Sequence, residues 1–264
     1  MIANPLISPE GFVTQASAKT AMGDDAALIE LCFDQRRYDP ALFAAYGIAP
    51  PEGLERMALK RQADFLAGRV ATALALQTLD LPAHDIRSGS NRAPVWPTGI
   101  AGAITHSHGR AASLVTHAPD RLCGIDLERI ATGTARDAIY AKCLSPGEGR
   151  IARTARDYSP DIAATLIFSA KESIFKALYP RVGRFFGFTA AELRDGLSDH
   201  SLHFQITEAL HPDVPAGFSL EIAYQVRADH VMTWLAIAAP PAPQPSHNGE
   251  NFTRHQAHTQ GRAG

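Results

Sequence analysis

LCGIDLERI, residues 122–130, alternates with the period of an extended chain: Ile125 and Leu127 fall on one side, Asp126 and Glu128 on the other. Like charges sharing one face of a strand repel unless something cationic lies between them, and a divalent ion is the natural occupant. The plainer alternative is an exposed strand edge whose acids meet water or the neighbouring Arg129. Upstream, residues 102–107 and 111–117 read as two strands across the polar turn His108, Gly109, Arg110. Downstream, residues 160–178 read as a helix. Pro160 stands near its start, Asp161 in its first turn, and Leu166, Ile167, Ile174, Phe175 and Leu178 supply its apolar surface.

Further out, residues 54–79 are rich in Ala, Leu, Lys, Arg and Gln, with Phe65, Leu66, Val70, Ala73 and Leu74 at three- and four-residue steps, which predicts one long amphipathic helix. Arg61 and Arg69 lie outside that stripe, the ordinary place for a solvated helix face. Between residues 88 and 102, Gly89, Pro94, Pro97 and Gly99 break every regular pattern. This loop either brings Arg92 and Trp96 somewhere specific or merely turns the chain. After the Gly- and Phe-rich loop 183–188, residues 201–206, 218–227 and 231–238 are β-like, so the fold class is α+β with an antiparallel tail. Beyond Pro240 apolar residues almost vanish, and disorder is expected over 241–264.

The bulk composition excludes more than it selects. The chain has 264 residues, 45% hydrophobic and 20% charged, enough for one large domain or two small ones. Its 25 Lys and Arg against 27 Asp and Glu offer no polycationic surface for duplex nucleic acid. Three cysteines, Cys32, Cys123 and Cys143, are odd in number and lack CxxC spacing, so they read as buried thiols in a reducing compartment. The first residues carry no signal-peptide pattern, and no run reaches the roughly 18 apolar residues a membrane span needs. A cytoplasmic protein is expected.

Two further stretches carry chemistry. FSAKESIFK, residues 168–176, places Lys171, Glu172 and Lys176 on an otherwise apolar helix, where the two lysines lie on different flanks and could grip separate phosphate oxygens. The modest alternative is a surface Glu172 to Lys176 pair worth a few tenths of a kcal/mol. Ile104, Thr105, His106, Ser107 end a strand with two hydroxyls and an imidazole that can donate to an anion. With 11 histidines in the chain, His106 stands out only by lying between Arg92 and the acid pair.

Taken in order, KRQADFLAGR (60–69), NRAPVWPTG (91–99), GAITHS (102–107), GIDLE (124–128) and FSAKESIFK (168–176) closely resemble the 4′-phosphopantetheinyl transferases, in the branch that includes enterobactin synthetase component D. The resemblance covers residues 54–178, and its specificity comes from the order of several words rather than from any one. Ala103 stands where the family usually has Ser, and Phe168 where it often has Trp.

The resemblance implies two similar α/β halves related by a pseudo-twofold axis, with the active site in the cleft between them. The division falls near Leu122: residues 1–121 as the half contacting coenzyme A, 122–240 as the half with metal and catalytic residues. It implies transfer of 4′-phosphopantetheine from coenzyme A to a serine of an acyl or peptidyl carrier protein in siderophore, other nonribosomal peptide or polyketide synthesis, by a monomer. Asp126, Glu128 and Glu172 would hold Mg²⁺, with Mn²⁺ an alternative. Glu172 would be the general base and Lys176 would steady the transferred phosphate, with Lys171 assisting. Thr105 and His106 would contact the phosphates of coenzyme A, and Arg61, Arg69 and Arg92 its 3′-phosphate and adenine side. The acidic carrier would dock on a basic or apolar surface around residues 181–188. Two rivals share this inventory: a magnesium hydrolase of nucleotide pyrophosphates, and a coenzyme A binding scaffold without catalytic power.

Overall fold

The computed structural model describes residues 11–20, 25–89, 93–118, 120–197 and 201–238. The chain opens with β1 (Val13–Thr20) and β2 (Ala26–Phe33), a short helix α1 (Leu42–Ala45), the long helix α2 (Leu59–Thr78) and a small ribbon of β3 (Arg87–Ser88) with β4 (Pro94–Val95). Strands β5 (Ala101–Ser107) and β6 (Arg110–Thr116) then complete a four-stranded sheet in the order β1-β2-β6-β5. Its hairpin turn holds His108 at φ 48° and Gly109 at φ 77°, both positive, as a two-residue turn between right-twisted strands requires. The sequence reading missed β1 and β2, because AALIELCF is apolar except for Glu30; as a central strand it is buried on both faces and shows no alternation.

Strand β7 (Arg121–Arg129), helices α3 (Gly133–Lys142), α4 (Pro146–Thr154) and α5 (Pro160–Val182), then β8 (Ala191–Leu193), β9 (Ser201–Ile206), β10 (Ser219–Val226) and β11 (His230–Ala238) follow. Their five strands form an antiparallel sheet in the order β7-β11-β10-β9-β8. The fold is mixed α and β.

Three apolar clusters hold it together. Helix α2 buries Ala63, Leu66, Val70 and Leu74 with Ile29 and Leu31, and α5 buries Leu166, Ile167, Ile174 and Leu178 with Phe204, Ile222 and Leu235. A third cluster is a seam between the sheets, where Leu28, Ala112 and Leu114 meet Ile125, Leu127 and Met232. One face of β7 thus packs on the first sheet and the other meets α5.

Two expectations about α2 need correction. The helix of residues 54–79 is broken: Leu54–Arg56 is a single 3-10 turn, and Met57 and Ala58 are extended before α2 starts at Leu59. The Gln62 side chain bridges the break by donating to Leu54 O at 2.9 Å and Met57 O at 2.8 Å. Arg69 is not solvated; it is 8% exposed, under the ribbon that carries Ser88. Helix α5 runs past its expected end and through Pro180, tolerable in a last turn, and stops at Gly183 in the left-handed region at φ 69°. All three cysteines are free, but only Cys123 is buried. The tail 241–264 lies outside the described residues, and among those described no helix is long and apolar enough to cross a membrane.

Candidate active site

The close approach of α5 to β7 rests on Gly124. A β-carbon there would lie 1.9 Å from the Ser173 carbonyl oxygen, so only glycine lets the helix sit this near the strand. Lys176 thereby reaches across. Its ammonium donates to Asp126 Oδ1 at 2.7 Å, to the Ile125 carbonyl at 3.0 Å and to Thr105 Oγ1 at 3.2 Å. One side chain of the second sheet's helix therefore joins the edge strands of both sheets. Asp126 is 3% exposed, and its second oxygen, Oδ2, accepts from Ser169 Oγ at 2.9 Å.

Glu128 and Glu172 share this corner with Asp126. Burial, then the Asp126 charge, push the Glu128 carboxyl up to about 7, with Lys176 working against the rise and Glu172 adding to it. The Glu172 carboxyl is raised for the same leading reasons, burial and then Asp126. Three acids thus compete for one lysine, so a hard cation would relieve both glutamates. Among the described residues no three His, Cys, Asp or Glu side chains stand close enough to grip a metal by themselves. For Asp126, Glu128 and Glu172 to share one hard ion they would have to close further around it, with water and phosphate oxygens completing its shell.

On the opposite side of β5, His106 is half-exposed, with Nδ1 3.7 Å from Asp64 Oδ2 on α2. Burial holds its imidazole below the usual range, Asp64 opposes, and Lys176, Lys60 and Arg61 reinforce the depression. The surroundings of His106 are thus basic. Arg69, two turns along α2, lies over the Phe65 ring at 4.5 Å and donates to Ser88 Oγ at 3.3 Å, while its buried Nε has no hydrogen-bond partner among the described residues. Burial lowers its guanidinium to about 10, Asp85 opposing. Arg92 lies outside the described residues.

Residues 50–116 match the 4′-phosphopantetheinyl transferase N-terminal domain and residues 122–226 match the 4′-phosphopantetheinyl transferase superfamily, together well over half of the chain. The chain belongs to the 4′-phosphopantetheinyl transferase superfamily. Among its relatives, 4′-phosphopantetheinyl transferase Svp of Streptomyces mobaraensis is 38% identical over 136 residues, 51% of this chain and 54% of that protein. 4′-Phosphopantetheinyl transferase Npt of Nocardia iowensis is 35% identical over 145 residues, 53% of this chain and 64% of that protein. Enterobactin synthase component D of Salmonella typhi is 33% identical over 145 residues, 54% of this chain and 59% of that protein. The chain spans little more than half the length of these curated relatives.

Within this member of the superfamily, Asp126, Thr105 and Lys176 are brought into contact, and Glu128 and Glu172 lie within electrostatic reach of them. Lys176 pairs with Asp126 rather than with Glu172, its neighbour one turn earlier.

Lys171 is a correction. Its ammonium is buried against Glu148 Oε2 at 2.8 Å and the Phe188 carbonyl at 2.8 Å, because an ammonium taken out of water needs a carboxylate at once. It does not join Lys176 at a phosphate. Thr105 is also displaced from its expected role: 5% exposed, it donates to Asp126 at 3.4 Å. Phe168 packs on Phe188 at 5.7 Å, keeping an aromatic anchor, and Ala103 lies in the seam, where the missing hydroxyl spares the apolar cluster a polar group.

Sequence reasoning missed Glu148, although Ser145, Pro146 and Glu148 spell a capping box: Ser145 N donates to Glu148 Oε2 at 2.7 Å and Glu148 N to Ser145 Oγ at 3.2 Å. It also missed Ser169, whose signal was its place four residues before Ser173 on one helix face.

Proposed function

We propose that this chain transfers the 4′-phosphopantetheine group from coenzyme A to a serine of an apo acyl or peptidyl carrier protein, releasing adenosine 3′,5′-bisphosphate. The pathway would be siderophore, other nonribosomal peptide or polyketide assembly. In this reading residues 1–121 and 122–240 are two similar halves about a pseudo-twofold axis, with coenzyme A between them. The observation that carries the proposal is the junction of Lys176, Asp126 and Thr105, with two glutamates beside it whose carboxyls are raised.

The chemistry asks for negative charge to be gathered and then moved. The carrier serine attacks the β-phosphorus, a new P–O bond forms, and the bond to the bridging oxygen breaks toward bisphosphoadenosine. Asp126, Glu128 and Glu172 would hold Mg²⁺, which when bound screens the pyrophosphate and stabilises the leaving phosphate.

Glu172 takes the serine proton. General-base assistance of this kind is worth roughly a hundred to ten thousand fold. Lys176 has three N–H donors and three partners, so it reaches a phosphate oxygen only by giving one of them up. His106 with Lys60 and Arg61, and Arg69, supply the basic wall for the other phosphates of coenzyme A.

For the carrier, Arg181 and Phe186 are unsuitable contacts, since Arg181 is bound to Asp213 and Phe186 is 6% exposed. Arg184 and Phe185, the latter 77% exposed, are the accessible pair in that loop. Arg184→Glu with Phe185→Ala should raise the KM for carrier protein without changing that for coenzyme A; an unchanged carrier KM would end the docking idea.

The decisive experiment is intact-mass measurement of apo-carriers incubated with the chain, coenzyme A and Mg²⁺. Gain of one phosphopantetheine on a serine is expected. Release of bisphosphoadenosine at the same rate without a carrier would instead mark a hydrolase, and binding without either product a scaffold.

A further inference from the structure

Behind Asp126, away from Lys176, three alcohols line up where no water reaches. Ser169, Ser173 and Thr233 are each 0% exposed. Ser169 Oγ donates to Asp126 Oδ2 at 2.9 Å, Thr233 Oγ1 stands 3.0 Å from Ser169 Oγ, and Ser173 Oγ stands 2.7 Å from Thr233 Oγ1. Thr233 is the β11 residue directly opposite Asp126 in the sheet, so the row ties α5, β11 and β7 together at one point.

An ionised carboxylate only accepts, and each hydroxyl has one proton. With Ser169 donating to Asp126, Thr233 Oγ1 is left to donate to Ser169, and the single proton of Ser173 faces two acceptors of Thr233, Oγ1 at 2.7 Å and the backbone carbonyl oxygen at 2.9 Å. Donors polarised in series strengthen the last bond, the one that meets the acid. Asp126 Oδ2 is thereby held toward the core, and Oδ1 is left facing Thr105 and Lys176.

We infer that Ser169, braced by Thr233 and Ser173, is a positioning residue for Asp126: it fixes which carboxylate oxygen is presented at the junction of the two sheets. This rests on the transfer reading above. Without the Ser169 hydroxyl, Oδ2 loses a donor in a buried setting and the carboxylate is free to rotate, turning both oxygens toward the ammonium of Lys176. The two serines lie on the face of α5 that carries Lys176, and Thr233 meets them from β11.

The test compares Ser169→Ala, Ser169→Thr, Thr233→Val and Asp126→Asn in the full chain, with Ser113→Ala as control. Ser113 is an equally buried hydroxyl, bonded to Thr72 Oγ1 at 3.0 Å in the other sheet. Turnover, KM for coenzyme A and Mn²⁺ affinity by titration calorimetry are read for each.

Ser169→Ala should lower kcat and weaken Mn²⁺ binding by about tenfold with little change in KM, the size usual for a residue that orients a ligand. Ser169→Thr should restore most of both, Thr233→Val should show a smaller loss, and Ser113→Ala none. Values for Ser169→Ala matching those of Ser113→Ala, while Asp126→Asn is inactive, would overturn the inference alone. Full activity of Asp126→Asn would remove the transfer reading and this inference with it. Should Ser169→Ala not fold, Thr233→Val decides: unchanged turnover and Mn²⁺ affinity then count against the chain.

Discussion

Glu30 on β2 and Glu128 on β7 are both carboxylates drawn into the region where the two sheets meet, and their surroundings push them in opposite directions. Glu30 faces His230 Nε2 at 3.1 Å, Arg227 at 3.4 Å and Arg110 at 3.5 Å, and His230 Nδ1 in turn meets Asp229 at 2.7 Å. The hydrogen bond from His230 is the largest influence and holds the Glu30 carboxyl below its ordinary range despite burial. Glu128 has burial and two acids raising it and only Lys176 opposing. A carboxylate whose charge is balanced by its own chain closes the seam; one left unbalanced is a candidate position for a cation.

The sharpest way to break this contrast is to remove a single charge from each region. Glu172→Gln should cut phosphopantetheine transfer by about a hundredfold or more, read by carrier mass, while Glu30→Gln should leave transfer near wild type well below its melting temperature. A wild-type rate for Glu172→Gln would take that residue out of the mechanism.

Stability should show the reverse pattern. Glu30→Ala removes the partner of His230 Nε2, on a side chain 3% exposed, and should cost about 3 kcal/mol in denaturant unfolding, as breaking a buried pair does. The lowered Glu30 carboxyl contributes stability that is present above its ordinary value of 4.5 and lost as pH falls through its folded value, so the penalty should shrink in acid.

Glu128→Gln should instead stabilise the metal-free protein. A carboxyl raised from 4.5 to about 7 favours folding below 4.5 and loses that advantage as pH rises through about 7. The full shift corresponds to a ceiling of about 3 kcal/mol, and a gain of about 1 kcal/mol at pH 8, vanishing near pH 5, is the expected melting result. Adding Mg²⁺ should raise the melting temperature of wild type more than that of the variant. Smallest of all, Arg227→Ala, removing a half-exposed partner of Glu30, should cost no more than about 1 kcal/mol.

The strand 121–129 and helix α5 were legible because each has a clean period, two for GIDLE and three to four for the apolar face of FSAKESIFK. β2 and α4 were not: the first is apolar except for Glu30 and shows no alternation, and the second announces itself only through Ser145 and Glu148. The acids were legible as a pair on one face. Lys171 was misread because its spacing in the motif says nothing about Glu148, which lies on a separate helix and reaches it only after folding. Arg69 was misread for a related reason, since the ribbon that covers it comes from residues 87–95.

By itself the sequence determined which chemistry is available: carboxylates two apart on a strand, a glutamate and a lysine four apart on a helix, glycine at 124. Local periodicity fixes which side chains share a face, and that is a property of neighbours along the chain. Only the tertiary structure decided their partners. Lys176 bonds to Asp126, Lys171 turns inward to Glu148, and Ser169 stands behind Asp126 because of how α5 crosses β7, a crossing set by contacts between residues far apart in the sequence.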